Sequence, residues 1–442
     1  MLPKKAIVVG GSVAGLLAAH ILSNHFEDVT LIEKDNYPDD DAPRQGVPQA
    51  NHVHILLVKG KMILENFFPE LEKDLLKKGA NKIDFLDDSR YRLPTGWAPK
   101  FKSGIITFTC TRILLENTIR DQIKKNSKIK IEQGVHITSL GIEKQNKIYA
   151  KTKDGKKIQG DLIVDCTGRN TKTPTWLEDI GFSKPKETKI DSFIRYSTRR
   201  YTPSKKDRNW KMLVILNKPT SNPRIGGIYP IEDGKWLVGL YSIGKEHPPT
   251  DEKGFLEFTK HLESQEIYES LKDAVPDSEI SGFHVQGSRK YHYEEMNLWP
   301  ENFIVLGDAV SVFNPFYGQG ITSAALGAKE LDDMLVNGKL DQNFTKKFQK
   351  RLAKVISLPW VLGTSEDLRW PTTVGDKPTT ITKMVQNHAQ KVLLLAPSSN
   401  LATKSFLEMM HMIKSPGVIY HPLILLQLIV NKFRKKINNK KI

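Results

Sequence analysis

The segment AIVVGGSVAGLLAAHIL at residues 6–22, followed by DVTLIEKD at 28–35, leaves this chain the fewest folds. Ala6 to Gly10 is a short apolar run, β-branched at its centre. Gly10, Gly11, Ser12 and Gly15 make a small-residue turn, and from Leu16 the pattern reads as helix. The second apolar run ends on Glu33, with Lys34 beside it. Strand, glycine turn, helix and strand form a βαβ unit of the dinucleotide-binding kind. Gly10 lets the turn form, and Ser12 and Gly15 let backbone approach a pyrophosphate and the sheet. The N–H groups of Val13 and Ala14 at the helix start meet negative charge. Glu33, eighteen residues after Gly15, is placed to accept ribose hydroxyls. Ser12 stands where the GxGxxG pattern has its second glycine, so a purely structural βα turn is the competing reading. An acid at position 33 opposes a 2′-phosphate and leaves NAD and FAD.

The basic start MLPKK before an apolar stretch imitates a targeting signal. Gly10-Gly11 would break the continuous helix that such a signal needs. Of 442 residues, 39% are hydrophobic and 26% charged, so a folded globular chain is expected. The net charge of +16 favours an anionic partner. Six of those charges, with no acidic residue against them, fall in NKFRKKINNKKI at 431–442. No zinc-ligand set or aromatic-basic stripe occurs, so nucleic acid is not expected as a partner. Cys110 and Cys166 have neither disulfide nor metal spacing, which fits a reducing cytoplasm. No run reaches the roughly 18 apolar residues that span a bilayer. The nearest, GVIYHPLILLQLIV at 417–430, is interrupted by Pro422 and reads as a buried helix. The alternative is an in-plane membrane anchor, given the polybasic segment after it.

VLGDAVSVFNPFYGQGITSAALGAKEL, residues 305–331, is a second ligand signal. Gly307-Asp308 puts a carboxylate at a strand end, suited to ribityl hydroxyls. Pro315 offers a rigid apolar ring. Gly318-Gln319-Gly320 opens a helix with accessible backbone amides, which favour negative charge at the edge of a reduced flavin ring. An NAD enzyme needs no second cofactor motif 300 residues downstream; FAD, with two remote ends, does.

GGSVAG with Glu33, DLIVDCTGR at 161–169 and GDAVSVFNPFYGQG together resemble the FAD-dependent monooxygenase superfamily. That superfamily includes aromatic hydroxylases, squalene-type and polyether epoxidases, flavin halogenases and geranylgeranyl reductases. PRQGVPQANHVHILLVKG at 43–60 is similar to bacterial FAD-dependent oxidoreductases related to polyether epoxidases. The resemblance extends to about Leu335. It implies an α/β fold with a Rossmann-like FAD-binding domain of the glutathione-reductase type, an inserted antiparallel β-sheet substrate domain and a helical C-terminal region. The expected boundaries are 1–185 with 286–335, 186–285, and 336–442 with the basic tail. It implies cofactor contacts from Gly10, Gly11, Ser12, Val13, Ala14, Gly15, Glu33, Lys34, Arg44, Arg112, Gly168, Gly307, Asp308, Pro315, Gly318, Gln319 and Gly320. No catalytic side chain and no metal ligand is nominated.

Bottom-up, Thr111 is a plausible N-cap, Leu114, Leu115, Thr118, Ile119 and Ile123 make a core stripe, and Arg112 in a first turn makes sense beside phosphate. Arg44 has a cofactor or entry-loop role, or else pairs with Asp39–Asp41. His52 and His54, two apart, face the same way if they lie on a strand, and are hydrogen-bonded imidazoles or flavin neighbours.

The implied reaction is transfer of one oxygen atom of O2, through a flavin C4a-hydroperoxide, to an apolar alkene or ring. The alternatives are an isoprenoid-type reductase and a non-catalytic peripheral membrane flavoprotein. Asp165-Cys166-Thr167-Gly168 departs from the Asp-Gly motif of the aromatic hydroxylases. NAD(P)H is therefore expected as electron donor either directly or through a separate flavin or ferredoxin reductase. The Trp-x-Trp-x-Ile-Pro signature of tryptophan halogenases is absent. Residues 190–243 hold strand-like runs with a hairpin turn at Glu232-Asp233-Gly234; their tyrosines 196, 201, 229 and 241 read first as core. GFLEFTKHL at 254–262 reads as an amphipathic helix. After Leu335 the chain reads as helical, with proline breaks at 358–360 and 369–378. A cytoplasmic protein is the expected setting, with membrane contact through the basic C-terminus as the alternative.

Overall fold

The computed structural model describes residues 3–38, 42, 44, 48–143, 146–338 and 340–438; side chains at 48, 49 and 434–438 lie outside the description. Its centre is a five-stranded parallel sheet. In spatial order the strands are Phe303–Val305, Leu162–Asp165, Lys5–Val9, Asp28–Ile32 and Ile129–Glu132. Val9 sits opposite Asp165, and Asp165 opposite Val305, so three strands end at one level. Helices cover this sheet, which is why its strands read as continuous apolar runs rather than alternating ones. Helices Val13–His25, Arg112–Lys124 and Gln319–Asn337 pack around it, with Phe26, Phe303 and Phe348 fully buried.

A second, larger sheet lies beside it. Arg195–Thr202, Trp236–Ser242, Arg224–Pro230 and Met212–Ile215 pair antiparallel, with Asp233 in the left-handed region (φ 61°) at the expected hairpin. Ser89–Leu93 and Gly96–Trp97 join its far edge, so the sheet also recruits chain from the expected first cofactor stretch. The expected amphipathic helix is Glu252–Lys260, capped by Asp251.

Two expectations for the C-terminal third are adjusted. The break expected at 358–360 falls at Ile356, between the Phe344–Val355 and Ser357–Asp367 helices, and Pro359 lies in the first turn of the second, where its missing N–H costs nothing. The 417–430 run does not form a buried helix. Pro416–Tyr420 is a 3-10 turn, and Pro422–Asn438 is a helix whose outward face is exposed. Proline at its first position starts this helix rather than interrupting one.

Candidate functional site

Three loops leave the level carboxyl ends of the parallel strands. Open α/β sheets place their ligands at that edge. Gly10 adopts φ +104°, and a Cβ there would lie 2.3 Å from the Cys166 carbonyl oxygen. A Cβ on Gly15 would lie 1.7 Å from the Gly10 oxygen, so the turn tolerates no side chain at either position. Gly307, at φ +68°, abuts the same turn: a Cβ on it would come within 2.7 Å of the Ala14 methyl. The two glycine motifs, nearly 300 residues apart in sequence, thus touch. Gly168, at φ +80°, faces open space in the loop between them. Asp165 holds that loop through Thr167 N–H (2.7 Å) and the Thr171 and Thr173 hydroxyls (2.7 and 2.6 Å).

Ser12 precedes the Val13–His25 helix but does not cap it, and that first turn carries no acid. Its hydroxyl instead donates to Glu116 Oε2 (2.9 Å) and accepts from Arg112 (3.2 Å). Arg112 opens the Arg112–Lys124 helix, whose Thr111 cap accepts from Leu114 N–H (3.2 Å). Arg44 bridges Glu116 (2.5 Å) and Glu33 (3.1 Å), completing a buried chain Glu33–Arg44–Glu116–Arg112–Ser12. Burial pushes the Glu116 carboxyl up, but Arg112 and Arg44 outweigh it and hold it below the ordinary range. A small cavity lies against Arg44, Ala50, Arg112 and Glu116.

The structure revises several roles. Asp39–Asp41 lie outside the described residues; among the described residues Arg44 forms ion pairs with Glu33 and Glu116. Glu33 Oε2 takes the Gly11 N–H (2.7 Å) and Oε1 the Asp35 N–H (3.0 Å), which leaves Oε1 a second lone pair for a ribose hydroxyl. The Gly11 N–H is correspondingly spent on Glu33. Lys34 is exposed at the strand end, and Val13 is buried. His52 and His54 lie on no strand: a 3-10 turn ends at Asn51 and irregular chain follows. His52 bonds Thr198 (2.9 Å), and His54 Nδ1 donates to the His52 carbonyl (2.9 Å). Burial lowers these imidazoles to about 4 and about 3, so both are neutral.

At the other end of the site, Gly318 (φ +66°) begins the Gln319–Asn337 helix, with no side-chain cap and no acid in its first turn. A Cβ on Gly318 would meet the Ile55 carbonyl at 2.9 Å, which fixes the His52–Leu57 segment against this turn. A Cβ on Gly320 would find nothing closer than Asp308 Oδ1 at 3.9 Å. The Gln319 side chain turns away toward Gly363, without a hydrogen bond among the described residues, so only its backbone belongs to the site. Burial raises the Asp308 carboxyl, against the pull of Arg169, Arg112 and Arg289. Pro315–Tyr317 is a 3-10 turn; Asn314 Oδ1 accepts from Phe316 N–H (3.1 Å). Asp367 anchors it by accepting from Asn314 Nδ2 (2.9 Å) and the Tyr317 hydroxyl (3.0 Å). Burial pushes Asp367 up to about 7 despite those bonds. The sequence gives no signal that sets Asp367 apart from its neighbour Glu366 in an ordinary helix.

A larger, mostly apolar cavity opens beside Phe316 and Tyr317. Its lining includes Ile55, Phe85, Tyr91, Val214 and Tyr229, together with Trp370, Leu393, Phe406, Leu407 and Met410 from the C-terminal third. Tyr229 is thus the one tyrosine of the expected four on this wall; Tyr196, Tyr201 and Tyr241 pack in other clusters. His411 lines it too. Its Nδ1 accepts Val58 N–H (3.3 Å), and burial lowers it to about 4.

Two uncapped helix starts, a glycine cradle open at Gly168 and Gly320, a half-buried carboxyl at Asp308 and converging arginines fit an elongated anionic dinucleotide. A family model described as FAD binding domain matches residues 4–337. The chain is 26% identical over 383 residues to Protein Rv3254 of Mycobacterium tuberculosis, covering 82% of this chain and 80% of that one. It is 22% identical over 341 residues to the flavin-dependent halogenase armH2 of Armillaria mellea, covering 73% and 63%. In fold it is similar to pqsL of Pseudomonas aeruginosa, described as a probable FAD-dependent monooxygenase, with TM-score 0.61, 14% identity and coverage of 83% and 97%. The chain belongs to the FAD binding domain family of the FAD-dependent monooxygenase and flavin halogenase superfamily, and is a flavin-dependent oxidoreductase.

Proposed function

We propose that this protein is a monooxygenase that inserts one oxygen atom of O2 into an apolar small molecule, an alkene or ring, the second atom leaving as water. The observation that carries the reading is the apolar cavity meeting the Pro315–Tyr317 turn, the end of the site where Asp308 and the Gly318–Gly320 helix start converge. FAD, when bound, supplies the oxygen-activating redox chemistry. Ser12, Arg112 and the Val13–His25 helix start would hold its pyrophosphate, Asp308 its ribityl hydroxyls, and the Gln319 and Gly320 amides its ring edge, the Gly318 N–H being taken by the Pro315 carbonyl (3.0 Å). The cavity side chains orient the substrate and exclude water. Among them, Glu366 is paired with Arg369 (2.7 Å) and His411 is neutral and hydrogen-bonded, so neither serves as a dedicated general base.

The test is single-turnover oxidation of an alkene and arene panel by reduced holoprotein under labelled O2. The expected product gains one labelled oxygen. A saturated product without label supports a reductase instead, and a halogenated product in added bromide supports the chemistry of the halogenase relative. NAD(P)H oxidation by the isolated holoprotein, with and without a flavin or ferredoxin reductase, identifies the electron route.

A further inference from the structure

The Pro422–Asn438 helix inverts the pattern of a surface helix. Ile424 is fully buried, and Leu428 packs beside it against the Thr380–Leu395 and Asn400–Met410 helices. Between Pro422 and Val430 the lone polar residue is Gln427. It faces inward, accepting the Ser399 hydroxyl (2.8 Å) at the cap of the Asn400–Met410 helix. The outward arc carries Leu423, Leu425, Leu426, Ile429, Val430 and Phe433, between 39% and 61% exposed. A helix that is apolar all round has an apolar neighbour on every side; here the protein covers only one.

Charge identifies the neighbour. No acidic residue follows Glu408, whereas Lys432, Arg434, Lys435, Lys436, Lys440 and Lys441 come directly after the apolar arc. A second copy of this chain docked on the arc would bring two such basic segments together. An anionic bilayer surface offers hydrocarbon to the arc and negative headgroups to the lysines. No helix among the described residues is long and apolar enough to cross a membrane.

We propose that this helix lies in the plane of an anionic phospholipid surface, its outward arc in the acyl boundary and the following basic segment on the headgroups. The helices beneath it, Thr380–Leu395 and Asn400–Met410, also wall the apolar cavity through Leu393, Phe406 and Leu407. The binding claim stands apart from the monooxygenase reading, and its test needs no turnover.

Full-length FAD-loaded protein is floated with phosphatidylcholine vesicles, with and without an equal part of phosphatidylglycerol. Expected are strong binding to the mixed vesicles, weakening with salt, and weak binding to the neutral ones. The variant Leu426→Glu/Ile429→Glu/Phe433→Glu, which alters only exposed side chains, should bind the mixed vesicles about 100-fold less tightly. Its flavin content and thermal midpoint should stay unchanged. Lys435→Gln/Lys436→Gln should lose the lipid-charge selectivity. Protein that stays unbound with mixed vesicles overturns the proposal, as does equal binding by the Glu variant. So does a concentration-dependent dimer that the Glu variant dissolves.

Discussion

Replacing Gly307 by Ala tests whether the two remote glycine turns are mechanically joined. The added Cβ would lie 2.7 Å from Ala14 Cβ. Apolar carbons settle about 3.5–4.0 Å apart, so the overlap is about 1 Å. Relieving it by local shifts costs about 1–3 kcal/mol, as overpacking does in well-packed interiors. Gly307 also sits at φ +68°, which costs a residue with a Cβ about 1–2 kcal/mol. The sum, about 2–5 kcal/mol, is a large share of the ~5–15 kcal/mol that keeps a domain folded. It should lower the melting midpoint by roughly 5–15 °C. Ala14→Gly removes the opposing methyl at a cost of about 0.5–1 kcal/mol of helix stability. In the double variant the overlap vanishes while the backbone penalty stays. Urea unfolding of the four proteins should therefore give a coupling of about 1–3 kcal/mol between the sites. A coupling below about 0.5 kcal/mol, or a Gly307→Ala protein as stable as the parent, would refute the joint.

Three further outcomes are expected. Asp308→Ala should weaken FAD binding about 10–100-fold, the worth of a hydrogen bond to a charged group, read by fluorescence titration with the fold intact by circular dichroism. His52, lowered by burial to about 4, is neutral in the folded state, whereas the unfolded chain takes up a proton below about 6.5. Its contribution is thus present above pH 6.5 and lost on acidification toward 4. The stability gap between the parent and His52→Gln should shrink by about 2 kcal/mol from pH 7 to pH 5 in urea midpoints. Asp367 works in the opposite direction: raised by burial to about 7, it keeps its proton in the fold, so the parent loses stability as pH rises from about 4 to 7. Asp367→Asn should therefore gain about 2–3 kcal/mol on the parent between pH 5 and pH 7. Asp367→Ala, which strands the Tyr317 hydroxyl and the Asn314 amide, should be destabilised by about 1–3 kcal/mol per stranded group near pH 4, a deficit that narrows toward pH 7 as the parent loses stability.

The readable part of this molecule is the part that local chemistry decides. The Lys5–Ile32 unit announces itself because strand, turn and helix each need their own residue types in order. Thr111 announces a cap because its hydroxyl serves an N–H three residues on. What escaped the sequence depends on contacts across the chain. Glu33 and Glu116, neither of them a local neighbour of Arg44 in sequence, reach it in space. The two-residue spacing of His52 and His54 could not say whether they lie on a strand, because Gly318 packs on the Ile55 carbonyl from a part of the chain far away in sequence. The 417–430 run is apolar all round, so its periodicity could not say which face the protein covers. Asp367 is invisible because its role is defined by Asn314 and Tyr317, some fifty residues upstream.

The buried ion chain at the first turn carries a further implication. Glu33 and Glu116 oppose Arg44 and Arg112, so the four together bring no net charge to a pyrophosphate. Attraction for the anion must then come from elsewhere: the uncapped start of the Val13–His25 helix, and Arg169 of the neighbouring loop and Arg289 of the Ser288–His292 strand, which both act on Asp308. Removing one partner of a buried pair leaves a stranded charge at about 3–5 kcal/mol, whereas the intact set adds little net stability. Such a device is poor as a source of affinity and good as a ruler. Glu33 holds the Gly11 N–H, Arg44 ties Glu33 to Glu116, and Glu116 holds the Ser12 hydroxyl. Position 12 can therefore be serine rather than glycine: its side chain points into the ion chain, and the backbone of the turn remains open to phosphate.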